Sequence, residues 1–223
     1  MDCFIFLESP LELVPKEIAN HPAIVSDARR RRKKAVELLL DDSKHHSAMK
    51  TLEHREKRGR PDIVHQCLLL LLDSPLRSFD IYVHTIKNEI IRVSRDTRLP
   101  RNYNRFVGLM EDLFKRRKIE ANGKVLIEIL NVELPEIVGD GKVLLFSEKG
   151  ERFEAKMLEK DVVICIGGFA HGEFFDETLR NLGRYKAVSL GKESYTSLYV
   201  TSRILCEYER IRSAEDSWGY LWK

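Results

Sequence analysis

The sequence is short of the features that most readily betray a function. Its four cysteines, at positions 3, 67, 165 and 206, include no CxxC pair. That spacing gives neither a zinc-finger ligand set nor a disulfide framework. All four are expected as small buried hydrophobes, Cys3 and Cys165 in strand-like runs and Cys67 and Cys206 in helix-like ones. The longest apolar run, CLLLLL from Cys67 to Leu72, falls far short of the roughly 20 residues a membrane helix needs, so no membrane partner is expected. The opening MDCFIFLESP carries an acidic residue at position 2 and no basic n-region, which argues against a signal peptide and for a cytoplasmic protein. Internal repeats, a dinucleotide fingerprint and a P-loop are all missing. His45, His46 and His54 have no cysteine or carboxylate at a ligand-like spacing, so no metal site is expected. A net charge of +3 over 223 residues is modest, and only its distribution is informative.

What is present reads as one α/β domain spanning residues 1–223. DCFIFLES is a buried strand ended by Pro10. SDARRRRKKAVELLLDD predicts a helix with Ser26 as N-cap and an apolar stripe of Ala35, Val36, Leu39 and Leu40. Its six consecutive basic residues, Arg29 to Lys34, suit a solvated face and an anionic partner equally well. The polar, histidine-rich stretch 42–59 is expected as a mobile loop or frayed helix. RPDIVHQCLLLLLDSPL predicts a helix with Pro61 at its first position and Pro75 beyond its end. FDIYVHT and EIIRVS form a β-hairpin insertion over 79–95, turning at Lys87-Asn88. NYNRFVGLMEDLFKRR carries the helical stripe Phe106, Leu109, Met110, Leu113 and Phe114. In the second half, GKVLLFS, VVICIGG and YKAVSLG are apolar strands without alternation. The helix-like FFDETLRNLG separates the last two, and a long helix, SYTSLYVTSRILCEYERIR, follows. Such strands imply a parallel sheet with both faces covered.

Two stretches carry chemistry. VVICIGGFAHGEFF runs from a buried strand into a glycine-bearing loop, a common seat for a ligand in an α/β protein because glycine lets a backbone approach closely. The second stretch extends from Arg95 to Lys118. Eight basic and three acidic side chains there give a local charge of 8 − 3 = +5. With Pro100 just before a helix, Arg101 and Arg105 fall on one helical face, with Arg98 in the approach and Tyr103 among them. Arginine forks grip phosphates, and an aromatic offers a platform to an unpaired base.

Taken in order and spacing, RGRPDIVHQCLLLLLDSPL, TRLPRNYNRFVGLMEDLF, GGFAHGEF and the tail SL…TSRILCEYE resemble one family over nearly the whole chain: the ribosomal small-subunit RNA pseudouridine-N1 methyltransferases of the SPOUT superfamily. The resemblance implies a parallel α/β sheet with a C-terminal trefoil knot, S-adenosylmethionine as methyl donor, and a homodimer acting on small-subunit rRNA within the pre-ribosomal small subunit. Carried over by position, the donor pocket would comprise Leu145, Gly167, Gly172, Glu173 and Phe174, then Leu190, Gly191, Lys192, Glu193, Ser194 and Tyr195. Arg60 and Asp62 would serve catalysis, and with Arg98, Arg101 and Arg105 they would bind the RNA. The long C-terminal helix, with Leu198, Leu205 and Tyr208, would form either the dimer seam or an intramolecular core helix, and the terminal SWGYLWK would pack on the body or the partner. A non-catalytic rRNA-binding assembly factor and a SPOUT enzyme acting on tRNA remain as alternatives.

Overall fold

The computed structural model describes residues 2–158 and 160–215. Its centre is one eight-stranded sheet in the order β4-β5-β3-β2-β1-β7-β6-β8. The strands are β1 (Cys3–Ser9), β2 (Asp80–Thr85), β3 (Ile90–Val93), β4 (Lys118–Ala121), β5 (Lys124–Leu130), β6 (Lys142–Arg152), β7 (Val162–Gly167) and β8 (Tyr185–Ser189). From β2 across β1, β7 and β6 to β8 every neighbour runs parallel. β3, β5 and β4 then continue the sheet antiparallel. The sheet is therefore mixed, and the hairpin over 79–95 is no appendage: β2 lies beside β1 near the centre.

Burial follows this division. Every residue of β1 is buried, whereas β4 has no buried residue. Because successive side chains point to opposite faces of a strand, β1, β6 and β7 each supply two cores. Phe4, Phe6, Leu144, Phe146, Ile164 and Ile166 belong to one, and Cys3, Ile5, Leu7, Val143, Leu145, Val163 and Cys165 to the other.

Helices α3 (Pro61–Asp73), α4 (Tyr103–Arg116) and α7 (Ser197–Glu215) cover the first face. Pro61 opens α3 at its first position, as its sequence predicts. Val64, Cys67, Leu68 and Leu71 are then completely buried at helical spacing, each contributing about 1.5–3 kcal/mol. α5 (Leu134–Val138) and α6 (Asp176–Asn181) flank the second face, which takes in Leu134, Val138 and Leu179.

Outside the sheet, α1 (Pro22–Arg31) and α2 (Asp42–Met49) enclose a third core around Ile18, Ile24, Leu38, Leu40, Met49 and Leu52. Here the structure corrects the sequence reading twice. Helix α1 starts at Pro22 under a His21 cap, not at Ser26, and stops where Arg32 turns left-handed. Leu39 and Leu40 are buried beyond that stop, while Val36 is exposed. The stretch 42–59, expected as a mobile loop or frayed helix, holds an ordered α2 and a 3₁₀ turn at Arg55–Lys57, with Met49, Leu52, Lys57 and Arg58 buried. Its polarity misleads because the buried charges have partners: Arg58 makes two hydrogen bonds to Glu12, at 2.6 and 2.7 Å.

The C-terminal helix takes the second of its two expected places. Leu205 and Tyr208 are interior, as in an intramolecular core helix, and Tyr208 donates to Asp2 at 2.7 Å. On this helix Leu198 and Tyr199 stay exposed. Cys206 is exposed too, unlike the other three cysteines. The SWGYLWK segment lies outside the described residues.

Candidate functional site

The ends of β6, β7 and β8 and the start of α7 enclose a cavity of about 270 Å³. It lies at the carboxyl edge of the parallel strands, where ligands bind in α/β folds. Of the residues assigned to the donor from sequence, Gly167, Gly172, Glu173, Phe174, Leu190, Glu193, Ser194 and Tyr195 line it. Leu145 does not. It sits at 2% exposure in the second core beside Cys165, and strand alternation hands its place to Phe146. Gly191 and Lys192 also stay outside the lining: Gly191 turns the loop, its carbonyl accepting from Ser189 Oγ at 2.5 Å, and Lys192 is exposed.

The sequence reading missed Ser147, Glu148, Ile166, Phe169, His171, Ser189 and Val200, which also line the cavity. Ile166 and Val200 could have been recognised only from the pairing of distant segments. Ser197, at the first position of α7, donates to the Gly167 carbonyl at 2.6 Å and so joins that helix to the glycine loop.

The glycines have specific work. A Cβ on Gly167 would come within 3.2–3.4 Å of the rings of Phe169 and Phe174. Gly168 carries its chain directly over Ser9, and Gly172 holds φ at +106°, which side-chain-bearing residues rarely adopt. The loop thus presents bare backbone beside the aromatic edges of Phe169 and Phe174. Aromatic and aliphatic walls suit a nucleoside. The carboxylates of Glu148 and Glu193 at the lining suit a cationic sulfonium, while that of Glu173 is paired with Lys149 at 2.8 Å, so the residues fit a donor such as S-adenosylmethionine.

A second cavity, of about 330 Å³, shares Ala170 and His171 with the first and is lined by Arg60, Arg58, Arg55, Lys50 and His46. Arg60 caps α3 by position and clasps Asp62 through Nε and Nη2, at 2.9 and 2.8 Å. The Asp62 hydrogen bond, set against partial desolvation, holds this guanidinium more firmly protonated than usual.

The basic stretch lies along α3. His65, on that helix, donates from Nε2 to the Pro100 carbonyl at 2.7 Å, and Arg101 reaches Asp73 in the last turn at 2.9 Å. Arg101 precedes α4, so it does not share a helical face with Arg105 as its spacing suggested. Arg98 and Arg105 are exposed. Arg60 at the start of α3 and Arg101 at its last turn are therefore held at opposite ends of a helix about 20 Å long, not in a single pocket.

Tyr103, expected as a stacking platform, points inward. Its hydroxyl donates to Asp41 at 2.9 Å, and burial together with that carboxylate raises its pKa far above an ordinary phenol. Arg95 also turns in, donating to the carbonyls of Leu71, Ser74 and Leu76; burial and the nearby Arg77 push its pKa down to about 10.

Comparison with known proteins places the chain among close relatives. The chain is 66% identical to the ribosomal RNA small subunit methyltransferase Nep1 of Archaeoglobus fulgidus over 211 residues, which are 94% of this chain and 96% of that protein. It is 48% identical to the protein of the same name from Saccharolobus solfataricus, over 83% of this chain and 87% of that one. The crystal structure of Archaeoglobus fulgidus Nep1 bound to S-adenosylhomocysteine superposes with a TM-score of 0.94, covering 95% of this chain and 99% of that chain. The family model for EMG1/NEP1 methyltransferases matches residues 4–209, and with these relatives and this fold the chain belongs to the EMG1/NEP1 methyltransferase family.

Proposed function

We propose that this protein methylates N1 of a pseudouridine in a hairpin loop of small-subunit rRNA, with S-adenosylmethionine as donor, during assembly of the small ribosomal subunit. The observation that carries the reading is the adjacency of the two cavities. A glycine-walled chamber fit for a nucleoside sulfonium shares Ala170 and His171 with a chamber ringed by Arg60, Arg58, Arg55 and Lys50. The likeness to a Nep1 crystallised with S-adenosylhomocysteine supports the same assignment of the first chamber.

Residues of the first chamber would hold the donor. Phe146, Ile166 and Leu190 offer apolar walls, Gly167 and Gly172 open backbone, and Glu148 and Glu193 at the lining would meet its positive charge. Bound there, S-adenosylmethionine supplies an electrophilic methyl group. Arg98, Arg101 and Arg105 would grip phosphates along α3, and Arg60 would meet the extruded base. Phosphate contacts of this kind dominate nucleic-acid affinity.

N1 of pseudouridine carries a proton that leaves as the new bond forms. Asp62 is the carboxylate nearest this role, but it is committed to Arg60 by two hydrogen bonds, and a carboxylate so paired is a poor proton acceptor. The reading therefore assigns catalysis to alignment of the reactants and to the guanidinium field, which stabilises negative charge developing on the base. Asp62 holds Arg60 in place. A homodimer built on the exposed start of α7, a trefoil knot in the C-terminal segment and a cytoplasmic location belong to the same proposal.

The test is methyl transfer to two matched RNA hairpins, one with uridine and one with pseudouridine at the target. Transfer to the pseudouridine hairpin alone is expected, because only that base presents N1–H. Equal transfer to both, or none to either, overturns the assignment, and the absence of S-adenosylhomocysteine binding by calorimetry would leave an assembly factor in its place.

A further inference from the structure

Among the described residues, the most heavily buried ion pair lies directly under the glycine loop. Lys57, at 2% exposure, donates from Nζ to Glu8 Oε2 and to the Glu173 carbonyl. Its ammonium stands 4.1 Å from the centre of the Phe169 ring and 3.8 Å from that of Phe175. The other oxygen of Glu8 accepts from the Phe175 amide at 2.7 Å. The pair is set by costly backbone: Glu8 itself holds φ at +51°, and His54, which opens the turn carrying Lys57, holds +52°. A Cβ on Gly172 would fall 3.1 Å from Lys57 Cε, so that glycine is shaped around the lysine as well as around its own turn.

From these contacts we infer that Lys57 is a positioning residue for the donor, an internal strut that sets the loop 169–175 in the conformation that walls the donor cavity. Neither Lys57 nor Glu8 lines that cavity, so the effect passes through the loop. The lysine fixes the loop at three points: the Glu173 carbonyl, the faces of two phenylalanines, and, by way of Glu8, the Phe175 amide. Cation–π contacts gain strength when desolvated, and hydrogen bonds made by charged groups are the strong ones. Phe169 and Glu173 are themselves lining residues, so a loop released from the strut loses donor contacts on one wall of the cavity. Lys57 also sits in sequence between Glu56 and Arg58, which line the arginine-ringed cavity. One side chain thereby registers the loop of one chamber against the wall of the other.

This role rests on the donor reading of the first cavity, and the test separates the two. Lys57→Met alone leaves Glu8 buried without a counter-charge and invites unfolding. The informative variant is therefore Glu8→Gln with Lys57→Met, which is neutral and keeps an acceptor for the Phe175 amide. The full chain is measured in three ways: calorimetric binding of S-adenosylhomocysteine, donor KM and kcat on the pseudouridine hairpin, and hydrogen exchange of the 169–175 amides without ligand. The expected result is a donor Kd and KM at least tenfold higher, kcat reduced less than threefold, and loop amides exchanging at least tenfold faster while those of β1 and β7 do not change. Unchanged loop exchange, or a donor Kd within twofold of the wild type, overturns the strut. Failure of the wild-type chain itself to bind S-adenosylhomocysteine defeats the donor reading, and this role with it.

Discussion

Within one short run of chain, charges are put to two opposite uses. Arg58 and its partner Glu12 are 5% and 4% exposed, while Arg60 and its partner Asp62 are 44% and 34% exposed. Both are bidentate arginine–carboxylate pairs of similar length. Arg58 ties the segment after α2 back to the chain following β1, and the bond cannot open without leaving a charge in the interior. Arg60, at the mouth of α3, can trade Asp62 for a ligand at small cost, because water already screens it. The same chemistry is architecture when buried and recognition when exposed. Lys57 stands between the two uses, buried like Arg58 yet in contact with a functional loop.

The largest expected effect comes from breaking the buried member of the comparison. Arg58→Ala leaves Glu12 uncompensated, and urea denaturation should show a loss of about 3–5 kcal/mol. The exposed member behaves in the opposite way. Arg60→Ala should lower methyl transfer by roughly 10²–10³-fold, the usual effect of removing a preorganised charge donor, while stability changes by only about 0–1 kcal/mol. If Arg60→Ala unfolds the protein, or leaves turnover intact, the contrast between the pairs fails.

The smallest effect sharpens the boundary between these uses at Tyr103, an aromatic set among the arginines but turned toward Asp41. Burial alone would raise the Asp41 carboxyl, but hydrogen bonds from Ser43 and Tyr103 and the charge of Lys44 outweigh it and hold the pKa below the ordinary value. A carboxyl lowered by folding contributes stability above its unfolded pKa of about 3.9, and that contribution fades as pH falls through the folded value. Tyr103→Phe should therefore cost about 1.5–3 kcal/mol at pH 7. The difference from wild type should shrink below about pH 3.9, as followed by thermal melts across pH. A gap that stays constant with pH would show that Asp41 is not the group involved.

These contrasts mark how far the sequence could be read. Proline at the first position of α3, the unalternating runs of β1, β6, β7 and β8, and the stripe on α4 all announce themselves, because each rests on neighbours within a few residues. The basic stretch and the glycine loop were legible for the same reason: their charge, or their freedom of backbone, is a local property. The face on which Leu145 would lie was not. Its assignment turns on alternation in register with Cys165 in another strand, and a one-residue difference moves a side chain to the opposite core. β4 was missed because its side chains are largely exposed and give no apolar run, whereas β5, KVLIEIL, buries Ile127 and Ile129 and carried a signal that went unread.

The sequence by itself therefore determined most elements of the parallel half and the glycine-bearing loop, since short-range spacing encodes these, and its likeness to known sequences pointed to the family. Only the tertiary structure decided which charges are inside. The histidine-rich stretch looked solvated until Glu8 and Glu12, some 46 to 49 positions away in the chain, proved to be waiting for Lys57 and Arg58. Whether a charged side chain is buried depends on a partner that folding brings to it, and no window of sequence around Lys57 contains that partner.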